Sequence, residues 1–139
     1  MKIVGTMEIS ASGLTAQRQR LNVIAENLAN AQATRTPQGG PYLKKYVVLE
    51  SQPAQDFASL LESPTKVEVA EIAETREGLR QEYDPTHPDA DKNGIVTWPN
   101  VNPVKEMVSM VLASRAFDAN VAAFRAGKNM ALKALEIGR

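Results

Sequence analysis

Leucine returns at every seventh position near the start of the chain, at Leu14, Leu21 and Leu28, and Met7 extends the series one step back. Ile24 and Ala31 stand three residues beyond Leu21 and Leu28, and Ala11 and Ala25 four beyond Met7 and Leu21. An apolar repeat of this kind draws a seam along one face of a helix. Gln17, Arg18, Gln19, Arg20, Asn22 and Glu26 keep the rest of the surface polar. The pattern predicts a helix from about Thr6 to Ala31, stopped by Asn30 and then by Pro37-Gln38-Gly39-Gly40-Pro41. A narrow seam of this length has to find something to pack against.

The other end of the chain carries a second such pattern. Asn102 is a good N-cap, and Pro103 suits the first helical position, where its missing N–H costs nothing. Beyond it Met107, Met110, Ser114, Phe117, Val121, Phe124, Lys128, Ala131 and Leu135 step by threes and fours, and Val104, Val108, Val111 and Leu112 widen the stripe at its start. Gly138 can cap the end, with Lys133 and Arg139 favourable near the negative pole. A helix from Pro103 to Glu136 is about 50 Å long at the usual rise per residue.

Between the two helices the period changes. Tyr42 to Glu50 holds a β-branched and aromatic run, Val67 and Val69 alternate with charged residues, and Leu79 and Tyr83 do so less cleanly. Ile95-Val96-Thr97-Trp98 follows an Asn-Gly step, which favours a tight turn. Ser51 to Pro64 reads as a loop with a helical turn around Phe57, Leu60 and Leu61. The predicted class is therefore α+β, mainly α: two long terminal helices pairing as a coiled-coil-like bundle beside a small β-rich middle region. Its parts are residues 1–31, 32–102 and 103–139 within one structural domain.

Several chemistries find no support. Lys+Arg and Asp+Glu number 16 each, a formal net charge of zero, so there is neither the basic footprint that nucleic acid demands nor a polybasic membrane anchor. No cysteine is present, which excludes disulfides and thiolate metal sites. The start of the chain lacks the continuous apolar stretch of a cleaved secretory signal, and no segment reads as a membrane span. Asp89-Ala90-Asp91-Lys92-Asn93-Gly94 matches the first half of a calcium loop, but the twelfth position, which needs a bidentate Glu, is Asn100. A tight polar turn is the better reading. His87 is the sole histidine, and no metal, cofactor or catalytic group can be assigned around it.

The core has few large residues to draw on: three Phe, three Tyr and one Trp in 139 residues. A middle region of this composition cannot cover both apolar stripes. Exposed stripes are a liability that neighbouring molecules can remove. The candidate subunit-interface positions are Leu14, Leu21, Ile24 and Leu28 on the first helix. On the second they are Met107, Met110, Phe117, Val121, Phe124 and Leu135. The alternatives are a self-contained helical hairpin capped by a small sheet, and a cytosolic coiled-coil adaptor or chaperone.

Three stretches together resemble the bacterial flagellar axial proteins, most closely their small proximal-rod members. The first is Leu14-Thr15-Ala16-Gln17, then Gln19-Arg20-Leu21-Asn22-Val23, then Ala25-Glu26-Asn27-Leu28-Ala29-Asn30-Ala31. The second is Gly39-Gly40-Pro41-Tyr42 with Lys44 and Val47-Val48. The third runs from Tyr83-Asp84-Pro85 and His87-Pro88 through Gly94 and Pro99-Asn100-Val101-Asn102. It continues with Glu106-Met107-Val108, Ala113-Ser114-Arg115-Ala116-Phe117 and Ala119-Asn120-Val121. The resemblance implies a structural subunit that stacks helically with copies of itself and other rod proteins and passes motor torque to hook and filament. It implies a place in the basal-body rod that crosses the periplasm, reached through the flagellar type III export apparatus without a cleaved signal. It also adds Asn27 to the interface as a polar contact that fixes register between packed helices.

Overall fold

The computed structural model describes residues 2–51 and 65–137. Helix α1 spans Lys2–Ala29, strands β1 to β4 span Lys44–Ser51, Val67–Thr75, Arg80–Tyr83 and Ile95–Trp98, and helix α2 spans Pro103–Ile137. The expected helical turn around Phe57 and the cap at Gly138 lie outside the described residues. Both terminal helices form where the apolar periods place them, although α1 begins four residues earlier than Thr6. Asn102 caps α2: its Oδ1 accepts the amides of Val104 at 3.0 Å and Lys105 at 3.1 Å. Its success follows from the orphan donors that any helix start presents.

The helices run antiparallel. A Cβ built on Gly127 would touch Met7, one built on Gly13 would touch Asn120, and Asn27 bonds to Glu106, so rising numbers on α1 meet falling numbers on α2. β1 and β2 form an antiparallel ribbon from Lys44↔Thr75 to Ser51↔Val67, with a bulge between Val48 and Leu49. The ribbon lies along α1, where the Val67 amide donates to Ser12 Oγ at 3.2 Å and Lys66 pairs with Glu8 at 2.9 Å. β3 and β4 make a second two-stranded sheet, paired from Arg80↔Trp98 to Tyr83↔Ile95.

Side-chain amides join these parts. Asn100 Oδ1 accepts the Lys44 amide at 2.8 Å, and its Nδ2 donates to the carbonyls of Thr75 and Glu77, each at 2.8 Å. One residue thus binds the open end of the β1–β2 ribbon to the approach to α2. The turn expected before β4 is present, but the connection from Tyr83 is longer than a tight hairpin. Asp91 Oδ1 accepts the amides of Asn93 at 2.7 Å and Ile95 at 2.9 Å, so the carboxylate of the half calcium loop is spent on its own backbone. Gly94 sits there at φ 76°, and a Cβ would lie 2.9 Å from the Tyr83 ring, so only glycine fits.

The core is thin. The buried apolar residues among those described are Ala16, Val23, Ile24, Tyr42, Val96, Val101 and Ala113. Two of the four that lie on the helices, Ala16 and Ala113, are alanines, which bring helix axes close but remove little apolar area from water.

Candidate assembly surface

The seam between the helices is not the one the large residues drew. On α1 the buried line passes through Ser10, Ala16, Val23, Ile24 and Asn27, while Ala11 and Ala25, assigned to the seam from their spacing, are exposed. Leu14, Leu21 and Leu28 are half-buried along one border of that line. On α2 the buried residues are Glu106, Ala113 and Gly127, seven or fourteen apart, with Asn120 between them over Gly13. Met110, Phe117, Val121 and Phe124 flank this line half-buried. Met107 and Leu135 do not belong to it: they are exposed, one helical position round from Glu106 and two short of Ile137. Small side chains decide the outcome, because they allow backbones to approach while the larger ones fill the borders.

Asn27 lies at the upper end of the seam and is 1% exposed. Its Nδ2 donates to the Lys45 carbonyl at 2.8 Å and to Glu106 Oε2 at 3.3 Å. Its Oδ1 accepts from Tyr42 Oη at 3.0 Å and from the Lys45 amide at 2.9 Å. Glu106, 3% exposed, completes the cluster through a 2.7 Å ion pair with Lys44. Lys45 reaches back to Glu26 on α1. A single side chain therefore joins α1, β1 and the first turn of α2, where a carboxylate also suits the helix dipole. Burial pushes the Tyr42 hydroxyl up to about 12, with the carboxylates of Glu26, Glu74 and Glu106 adding to the effect.

Opposite this clasp α2 shows water an apolar face. Val104, Met107, Val108, Val111 and Leu112 are 49–65% exposed, and their spacing of three and four places them on the side turned away from Glu106 and Ala113. Met130, Leu132, Leu135 and Ile137 form a second exposed group near the end of the helix. α2 is long and apolar enough to cross a membrane by length and composition, and 6% of the qualifying 18-residue stretch is buried. This corrects the reading that no segment approaches a span. The run of alanines from Ala113 to Ala123 adds apolar length without the bulky residues that mark a span to the eye. Arg115 and Asp118 interrupt it.

Elsewhere the polar groups serve the fold. His87 Nδ1 accepts the Asp89 amide at 3.1 Å and its ring meets Trp98 edge-on at 5.7 Å. Thr86 donates to Asp84 Oδ1 from both hydroxyl and amide, which holds that carboxyl below its usual range. Among the described residues no group of three or more His, Asp or Glu could hold a metal ion. What the chain offers is an assembled helical hairpin with an uncovered apolar side.

Known proteins share this plan. Residues 7–35 match the family model described as flagella basal body rod protein. Residues 92–137 match that of the flagellar basal body rod FlgEFG protein C-terminal region. The chain is 43% identical to the flagellar basal-body rod protein FlgC of Bacillus subtilis, over 96% of its own length and 97% of that protein's. Against FlgC of Escherichia coli O157:H7 it is 41% identical with both chains fully covered, and against that of Borreliella burgdorferi 38% identical over 99% and 98%. The chain belongs to the FlgC family of flagellar basal-body rod proteins. The two matched segments contain most of α1 with its Asn-Leu-Ala-Asn ending and all of α2, so the family-model likeness falls on the two helices that make the hairpin. The family resemblance gave Asn27 a contact between packed helices, and the structure places it inside the hairpin; sequence reasoning assigned no role to Glu106, Tyr42 or Lys44. The available signal was the spacing of Ala113, Asn120 and Gly127, a heptad written in small residues.

Proposed function

We propose that this chain is a structural subunit of the proximal part of the flagellar basal-body rod, assembling helically with itself and other rod proteins and carrying torque from motor to hook and filament. The observation that carries the reading is the outer face of α2. Five large apolar side chains around Val108 stand about half exposed beside a well-ordered seam. Covering them contributes roughly 1 kcal/mol each, taking half the value of a full burial. Arg115 and Asp118 favour a protein neighbour over lipid, since each would cost about 3 kcal/mol at the centre of a membrane. Leu14, Leu21 and Leu28, at the border of the hairpin, and Leu135 at its end extend the same surface. Met110, Phe117, Val121 and Phe124 serve first as the wall of the hairpin, and Ile24 and Asn27 set its interior.

The periplasmic location of the rod and export through the type III apparatus without a cleaved signal complete the proposal. It predicts no catalytic turnover. The test uses the missing cysteine: Ala123→Cys places one thiol on an exposed position of α2. Cross-linking in intact bacteria is expected to give adducts with rod proteins in the envelope fraction. Recovery only as a soluble monomer or dimer, in cells with complete flagella, would reject the rod reading and favour the cytosolic adaptor.

A further inference from the structure

We infer that the β1–β2 ribbon is a hinged arm, clasped to the helical hairpin at its Lys44–Thr75 end and able to open away from α1 at its Ser51–Val67 end. The two ends are held very differently. At the first, the Asn27 side chain bonds to both the amide and the carbonyl of Lys45, and Lys44 pairs with Glu106 at 2.7 Å. Asn100 adds bonds to the Lys44 amide and to the carbonyls of Thr75 and Glu77, each at 2.8 Å, so both strands are tied there. Asn27 and Glu106 are 1% and 3% exposed, and water competes little for bonds so enclosed. The second end lies beside Ser12, about 22 Å from Asn27 along α1 at the usual rise. Its ties are the 3.2 Å bond from the Val67 amide to Ser12 Oγ and the Lys66–Glu8 ion pair. The side chains of that pair are 43% and 52% exposed, and pairs so open to water and salt hold weakly.

Between its ends the ribbon has a place to bend. Val48 pairs with Glu71 and Leu49 with Val69, which leaves Ala70 as the extra residue of a bulge, and a bulge bends its strand. Beyond the bulge Glu50 and Glu68 stand directly opposite each other, a like-charge pairing that weakens the outer half. Apolar packing does little to hold the arm down. No residue of either strand is buried, and Tyr46, Leu49 and Ile72 are 39–48% exposed. A groove of about 370 Å3 is lined by Tyr46, Val47 and Leu49 of β1 together with Val23 and Ile24 of α1, so strand and helix do not close on each other. Segments with few buried contacts open locally while the rest of the fold stays intact. On the rod reading above, the arm is the part of the subunit that adjusts to neighbours; the hinge itself does not depend on that reading.

Amide hydrogen exchange, read by NMR on the purified full-length chain, tests the hinge. The ladder amides of residues 49–51 and 67–69 are expected to exchange at least about tenfold faster than those of 44–47 and 72–75, once each is corrected for its intrinsic rate. Lys66→Gln removes the outer ion pair at an exposed position. It should speed the outer amides about threefold, the scale of an exposed pair, and leave the inner amides and those of the α1–α2 seam unchanged. Salt at about 1 M should act on the unchanged chain as the substitution does, and should add little in the Lys66→Gln chain, where the pair it screens is gone. Equal protection of the two halves, a Lys66→Gln effect spread evenly over both, or a salt effect of the same size in the variant would overturn the hinge.

Discussion

Replacing Asn27 with alanine tests the energetic weight of the clasp. The substitution removes a side chain 1% exposed and four hydrogen bonds at once, to the Lys45 amide and carbonyl, Tyr42 Oη and Glu106 Oε2. Glu106 keeps its ion pair with Lys44, so its loss is small. The Lys45 amide and the Tyr42 hydroxyl lose their partner at a place where water enters poorly, which costs roughly 1–2 kcal/mol for each. Alanine returns about 0.5 kcal/mol in helix propensity. The net expectation is a destabilisation of about 3 kcal/mol. For a chain of this size that lowers Tm by roughly 10–15 °C. Circular dichroism melts and urea titrations of both proteins measure it, with the denaturant slope checked for constancy. A loss below about 1 kcal/mol would refute the reasoning, because it would mean that the cluster is open to solvent.

Three further outcomes follow from the same geometry. Tyr42 ionises more reluctantly when folded, so the stability it lends is complete below pH 10 and lost as pH rises toward 12; Tyr42→Phe should remove much of that alkaline loss in melts across the window and cost about 1 kcal/mol at neutral pH. Asn102→Ala leaves the first amides of α2 without their cap and should cost about 1 kcal/mol in a urea titration, with little change in helical signal. Leu21→Asp and Phe124→Asp bring a charge to half-buried borders of the hairpin, so both should abolish assembly and motility and also lower Tm of the isolated chain; normal motility in either would count heavily against the account.

Where the helices lie was legible in the sequence, because an apolar period, an Asn-Pro start and a Gly-rich stop act within one or two turns. The strands were legible for the same reason: Val47 and Val48, and Val67 and Val69, are local signals. The face that each helix buries was not. Met107, Val108, Val111 and Leu112 look like a core by their size, yet the seam took Ala113 and Gly127, since close backbone approach rewards the absence of a side chain. Leu14, Leu21 and Leu28 were displaced to a border when α1 turned toward both α2 and the β1–β2 ribbon. The clasp was hidden for a different reason. Glu106 reads as a surface residue until Lys44 and Asn27 are known to stand beside it, and that depends on contacts between residues some 60–80 apart in the chain.

The central claim is that the outer face of α2 is covered by neighbouring subunits in the rod. Val108→Asp probes it with least disturbance to the monomer, because Val108 is 55% exposed and its spacing puts it on the side of α2 turned away from Glu106. Basal bodies purified from cells making this variant beside the unchanged chain would be blotted for both. The account predicts that the variant melts like the unchanged chain yet is depleted from basal bodies at least tenfold; equal incorporation of the two would contradict it.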